Sequence, residues 1–271
     1  QMCIRDRSLI VLALLLLVRA SETGRRAWLL AAAAALGVAF NVKLLESLIA
    51  LPGLLLFAYL GLPGPRRRRL MQLGAAALVY VVVALSWLTA TLLAPAHERP
   101  FAIGSTNGSA WNAAFVFNGT DRLGGKSPEP QFTVYEPGHH YPQATQSERD
   151  HIPIVPASPT RLLARIGPLS GERLGLELLV ALLLGIPALL LGARSGERER
   201  PDAERTEAQE PDAEAALAAR ARMRRAIAAG LFLWMFAGVA LFSYMSRLHP
   251  RYVEAFTPAV AAMLGIGAAW V

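Results

Sequence analysis

The chain of 271 residues has one cysteine, Cys3, which excludes an internal disulfide and a cysteine-based metal site. It has no glycine-rich loop of the kind that cradles nucleotide phosphates. It has no assignable Ser-His-Asp arrangement either, so two common catalytic signatures are missing. Aromatic residues are few, and no basic patch is interleaved with them. The net charge of +7 is therefore not read as a nucleic-acid footprint. The His139-His140 pair, with Glu136, Asp150 and His151 nearby, has no metal-ligand spacing and lies among prolines and glycines. No metal, cofactor or nucleic acid is expected.

What the chain does have is apolar length, with 54% of its residues hydrophobic. Six or seven stretches rich in Leu, Ala and Val succeed one another, and roughly 20 apolar residues suffice to cross a bilayer as a helix. The fold class expected is all-α: a polytopic membrane helical bundle with one large extracytoplasmic loop between its fourth and fifth spans. Ser8–Val18 reads as a shortened first span, and 27–41, 44–62 and 70–93 as the next three. Residues 94–172 form the polar loop, 173–193 the fifth span and 194–225 a charged linker, solvated as helix or disordered. Residues 226–271 hold the last two spans. Residues 1–7 resemble translated sequencing adaptor and are set aside. The run Leu9–Val18 lacks a small-residue cleavage site, so no signal peptide is expected.

Arginine clusters at Arg25-Arg26, Arg66–Arg69 and Arg220–Arg225. One crossing per span puts all three on one side, which the positive-inside rule makes the cytoplasm. The Asn41–Lys43 turn, the long loop and the turn Arg247–Tyr252 then share the opposite face. The Ala, Leu, Arg and Pro bias points to a bacterium, and so to its inner membrane, crossed several times.

Chemistry is sought at that external face. Lys43 sits between two apolar spans, where a compact cation suits a phosphate, though a snorkelling lysine would look the same. Glu46, three residues on, is placed to pair with it. Ser246–Tyr252 packs Arg247, His249, Arg251 and Tyr252 into one turn with Glu254 beyond, a cationic cluster suited to phosphate or to interfacial anchoring. In the loop, Arg99, Ser105, Asn107 and Asn118 can hydrogen-bond sugar hydroxyls or simply build turns. Trp111, Phe115 and Phe117 could lay a short helix along the membrane plane.

Several of these segments, in order, resemble one family. Gly37-Val38-Ala39-Phe40-Asn41-Val42-Lys43-Leu44-Leu45 with Leu51-Pro52 is similar to the span-end motif of the ArnT-like, dolichyl-phosphate-mannose-protein mannosyltransferase-like membrane enzymes. These belong to glycosyltransferase family 39 and have the GT-C fold. Residues 99–109 and Phe117–Leu123 resemble the loop after the fourth matching span, and His249-Pro250-Arg251-Tyr252 with Pro258-Ala259 resembles the His-Pro-x-Tyr turn.

The resemblance implies transfer of a sugar from a polyprenyl-phosphate donor to a lipid, glycan or protein acceptor at the external face. It implies donor-phosphate contacts from Lys43, Arg247, His249 and Tyr252, and substrate-loop roles for Arg99, Ser105, Asn107 and Asn118. The family's base is a carboxylate in a first external loop that no residue here matches. The catalytic residue is therefore unassigned, and this chain alone is expected to be inactive. The rival readings are a transporter or flippase, which would carry ionisable residues at mid-span, and a non-catalytic membrane scaffold.

Overall fold

The computed structural model describes residues 2–95, 98–99, 102, 105, 107–124, 157–163, 171–192, 211–245 and 253–270. Among these there is no strand; the chain is all-α. Four helices open it: α1 (Met2–Thr23), α2 (Arg26–Lys43), α3 (Ser47–Gly61) and α4 (Arg66–Leu93). A π-helical stretch, Asn112–Thr120, follows and is continued by the short helix Asp121–Gly124. Then come α5 (Gly171–Val180) with a π turn at Ala181–Gly185, α6 (Pro211–Tyr244) and α7 (Thr257–Trp270).

Leu- and Ala-rich composition favours helix throughout, and the breaks fall where the backbone requires them. Gly24 and Gly64 adopt left-handed φ values of 67° and 103° between helices. Pro65 is extended and begins α4. Arg66–Arg69 are the first turn of that helix, where Arg69 donates from Nε to the Gly64 carbonyl (2.9 Å) and from Nη1 to the Tyr59 carbonyl (3.3 Å). Pro187 lacks the N–H that would close the preceding turn, and the helix widens into its π turn just before it. In the same way residues 211–225 are helical, continuous with the apolar part of α6.

Three of the described helices are long and apolar enough to cross a membrane: Arg26–Lys43, Arg66–Leu93 and Ala215–Tyr244. Ser47–Gly61, Glu177–Gly192 and Thr257–Trp270 are shorter apolar helices. At 1.5 Å per residue α4 is about 42 Å long, more than the roughly 30 Å of a hydrocarbon core. It exposes Leu78 (65% exposed), Val82, Trp87 and Leu93 (82% exposed). In water so much exposed apolar surface would drive association, whereas in lipid it is the surface expected. The protein is a membrane protein.

Helices α3 and α6 are antiparallel and pack through glycine. A Cβ on Gly53 would lie 2.5 Å from the Gly230 carbonyl oxygen, and one on Gly230 would lie 2.8 Å from the Phe57 Cβ. This close approach needs small residues on both helices, as in membrane bundles generally. The core continues through Trp234, Phe242 and Phe256, with the last two rings 5.6 Å apart.

These contacts define two poles. At one lie the starts of α2 and α4, the end of α3 and the arginines of α6; there Arg222 Nε donates to the Gly61 carbonyl (3.0 Å). At the other lie Lys43, the start of α3, the end of α6 at Met245, and Val253–Phe256. Glu254–Phe256 packs on α3, Arg161–Leu163 packs on α6 and α5, and Leu44–Glu46 packs on Asn112–Thr120.

Candidate functional site

Lys43 closes α2 and is half-buried. The next residue, Leu44, has φ 42° and ψ −123°, the one positive φ at a non-glycine residue among those described. A branched side chain there is strained. The strain follows from the path of the chain: α2 must end and α3 must begin within the three-residue 3-10 turn Leu44–Glu46. That sharp break sets Lys43 at the pole itself, with no loop to carry it away.

Neighbouring polar groups fasten the break. Asn41 Nδ2 donates to the Val83 carbonyl of α4 at 2.8 Å and to the Gly37 carbonyl at 3.2 Å. The Ser47 and Tyr80 hydroxyls lie 3.4 Å apart. Below them an apolar cavity of about 220 Å³ opens between α1, α2, α3 and α4, lined by Leu36, Leu51, Leu54, Ala76 and Tyr80 among others. A second small core covers the break from outside. Phe40, Ala84, Leu88 and Ala114 are its buried members, and Phe115 stacks near Trp111 (5.4 Å) and Phe40 (6.3 Å). Trp111, Phe115 and Phe117 thus do lie in a short helical segment.

The four loop residues have local partners. Arg99 donates from Nε to the Ala94 carbonyl (2.7 Å) and from Nη2 to the Leu92 carbonyl (2.5 Å), satisfying the end of α4. Ser105 is buried and donates to the Ala102 carbonyl (2.6 Å). Asn107 Oδ1 accepts from the Ser109 N–H (3.0 Å), and Ser109 Oγ accepts from the Trp111 N–H (3.2 Å), a relay that starts the loop helix. Asn118 Nδ2 donates to the Ala113 carbonyl five residues back, at 2.8 Å. That spacing matches the wide π-helical turn it sits in.

Arg247, His249 and Tyr252 lie outside the described residues, as do His139 and His140. Of Glu46 and Glu254 only the backbone is described. The structure does describe the residues on either side of segment 246–252, which holds the first three. Met245 and Val253 are buried at the pole that also carries Lys43.

Sequence reasoning passed over one residue at this pole. Arg161 is 1% exposed and begins the 3-10 turn Arg161–Leu163. Its Nη1 donates to the Met245 carbonyl at 2.7 Å. Burial lowers its pKa from the usual arginine value. Nothing local marks it: Thr160-Arg161-Leu162 reads like any loop segment, and its burial depends on α5 and α6.

Comparison with known proteins gives matches over part of the chain. The dolichyl-phosphate-mannose-protein mannosyltransferase family matches over residues 5–89, from α1 into α4. The chain is similar to “Putative mannosyltransferase YkcB” of Bacillus subtilis (strain 168), with 36% identity over 118 residues, 44% of this chain and 16% of that protein. It is also similar to “Putative mannosyltransferase YycA” of the same organism, with 33% identity over 124 residues, 44% of this chain and 18% of that protein. The matched region thus spans less than a fifth of the length of these curated relatives. No solved structure matches.

Proposed function

We propose, from the support for a GT-C-like mannosyltransferase family, that the intact protein is a membrane glycosyltransferase using a polyprenyl-phosphate-linked sugar, with a mannose-type donor foremost. The arginine-rich pole faces the cytoplasm, and the Lys43 pole faces outward. There an acceptor hydroxyl attacks the sugar's anomeric carbon. The new carbon–oxygen bond forms as the bond to the lipid phosphate breaks. The hydroxyl proton passes to a carboxylate base, and polyprenyl phosphate leaves. Lys43, Arg247 and His249 neutralise the charge that grows on the leaving phosphate, and the Tyr252 hydroxyl donates to it. The acceptor is a lipid, glycan or protein.

One observation carries this reading: Lys43 stands half-buried at a strained helix break, at the pole that also holds the end of α6 and the Glu254–Phe256 turn. A cation held at such a boundary suits an anionic headgroup, whose burial without cations would be costly. The apolar cavity beside Tyr80 gives a hydrocarbon chain a place near that headgroup.

The test is sugar transfer from a labelled polyprenyl-phosphate donor by the intact protein and its Lys43→Ala variant. Loss of about a hundredfold in rate at unchanged folding is expected, the scale seen when one charge-stabilising donor is removed. Unchanged transfer would remove Lys43 from the site. Donor movement between leaflets without transfer would favour a flippase.

A further inference from the structure

Arg161 presents an unusual arrangement for a buried cation. Its guanidinium has five N–H donors in a fixed plane. The Nη1 edge is held by the Met245 carbonyl, 84 positions along the chain. Nε and Nη2 are buried, and among the described residues neither has a hydrogen-bond partner. These two nitrogens are not an arbitrary pair. Their N–H bonds point the same way from one edge of the guanidinium, and that edge is the fork with which arginine grips two oxygens of a carboxylate or phosphate.

A buried charge without a counter-charge is costly, and a protein retains one where an anion completes it. The Met245 bond fixes the plane of the fork, so little conformational freedom is lost when an anion arrives. The segment carrying Arg161 is itself clamped. Leu162 is buried in the main core, and a Cβ on Gly175 of α5 would lie 2.8 Å from the Leu163 carbonyl oxygen. Met245 directly follows α6 at the pole that carries Lys43, so the guanidinium sits at that helix end.

We infer that Arg161 is a further anion-binding residue of this protein, its Nε–Nη2 fork receiving two oxygens of the lipid-linked phosphate. This rests on the donor reading above. It adds to it a rigid bidentate contact at the Met245 end of α6, complementary to the point charge of Lys43. The chemistry also accounts for arginine rather than lysine at this position: a lysine could reach the Met245 carbonyl or the phosphate, but its tetrahedral donors cannot offer a planar fork while tethered.

The experiment uses the whole chain in lipid nanodiscs and compares geranyl phosphate with geraniol as probes, for wild type, Arg161→Gln and Arg161→Lys. Gln keeps a donor for the Met245 carbonyl and removes the charge and the fork. Geraniol affinity and the melting temperature without ligand report folding. Wild type should prefer the phosphate, Arg161→Gln should lose that preference by tenfold or more, and Arg161→Lys should lose it several-fold, with geraniol binding unchanged in all three. A variant that keeps the full phosphate preference would overturn the role of Arg161 while leaving the donor reading intact. Absence of phosphate preference in wild type itself would overturn both. Should Arg161→Gln fail to fold, Arg161→Lys decides the matter: it should lose the phosphate preference several-fold with geraniol affinity and the unliganded melting temperature as in wild type, and full retention of that preference would sink the proposal.

Discussion

The two poles of the bundle treat their cations in opposite ways. At the arginine-rich pole the charges are solvated or bound to helix ends. Arg19 pairs with Glu22 at 3.3 Å with both side chains largely exposed, and Arg69 and Arg222 satisfy carbonyls at the ends of α3 and its turn. At the opposite pole Lys43 is half-buried, as Arg69 and Arg222 are, but Arg161 is almost wholly buried. Formal charge is concentrated at the first pole, yet the most deeply buried cation lies at the second. Exposed cations are screened and contribute little to holding a particular anion. A cation already stripped of water interacts far more strongly with whatever anion reaches it. Counting arginines therefore supports the proposed cytoplasmic side, and burial supports the proposed side for an anionic substrate.

The contrast can be broken by paired substitutions. Lys43→Ala should lower transfer by the intact protein about a hundredfold, while Arg222→Ala at the other pole should leave it within about twofold. Equal losses would mean that the poles do not differ in function. The poles are kept in register by the α3–α6 seam, so Gly53→Val, which forces a branched side chain onto the Gly230 carbonyl, should cost about 1–3 kcal/mol or more of stability. Thermal melting in detergent would show it, and a melting temperature equal to wild type would refute the close approach.

Smaller effects sharpen the same picture. Asn41→Ala removes the side-chain bond from α2 to the Val83 carbonyl and should cost about 1 kcal/mol, read by melting. It should also loosen the Lys43 break, raising KM for the donor more than it lowers kcat. Arg222→Ala, whose loss is one partly exposed contact to the end of α3, should lower stability by no more than about 1 kcal/mol.

Much of the fold was legible in the sequence because its signals are local. Apolar runs marked every long helix. Element ends were less legible: Arg66–Arg69 look like a connection by charge but are helical, and residues 211–225 take the helical alternative, since arginine and alanine are good helix formers and charge need not end a helix. The site was legible in part. Lys43 stood out because it is a charge between two apolar runs. Arg99, Ser105 and Asn107 stood out as polar loop residues, and the structure gives each a cap or a turn to complete. Nothing in their sequence neighbourhood separates a side chain free for a sugar from one already bonded to a carbonyl.

Composition and hydropathy alone determined that this is a helical membrane protein with its arginines gathered between apolar segments, because the transfer of apolar length and of charge between water and lipid depends on residue type and spacing. Only the tertiary structure decided that Asn41 ties α2 to α4, that α3 and α6 meet glycine to glycine, and that Arg161 is buried with no partner for its fork among the described residues. Those properties depend on which distant segments exclude water from a side chain. For Arg161 the fixing partner lies 84 positions away.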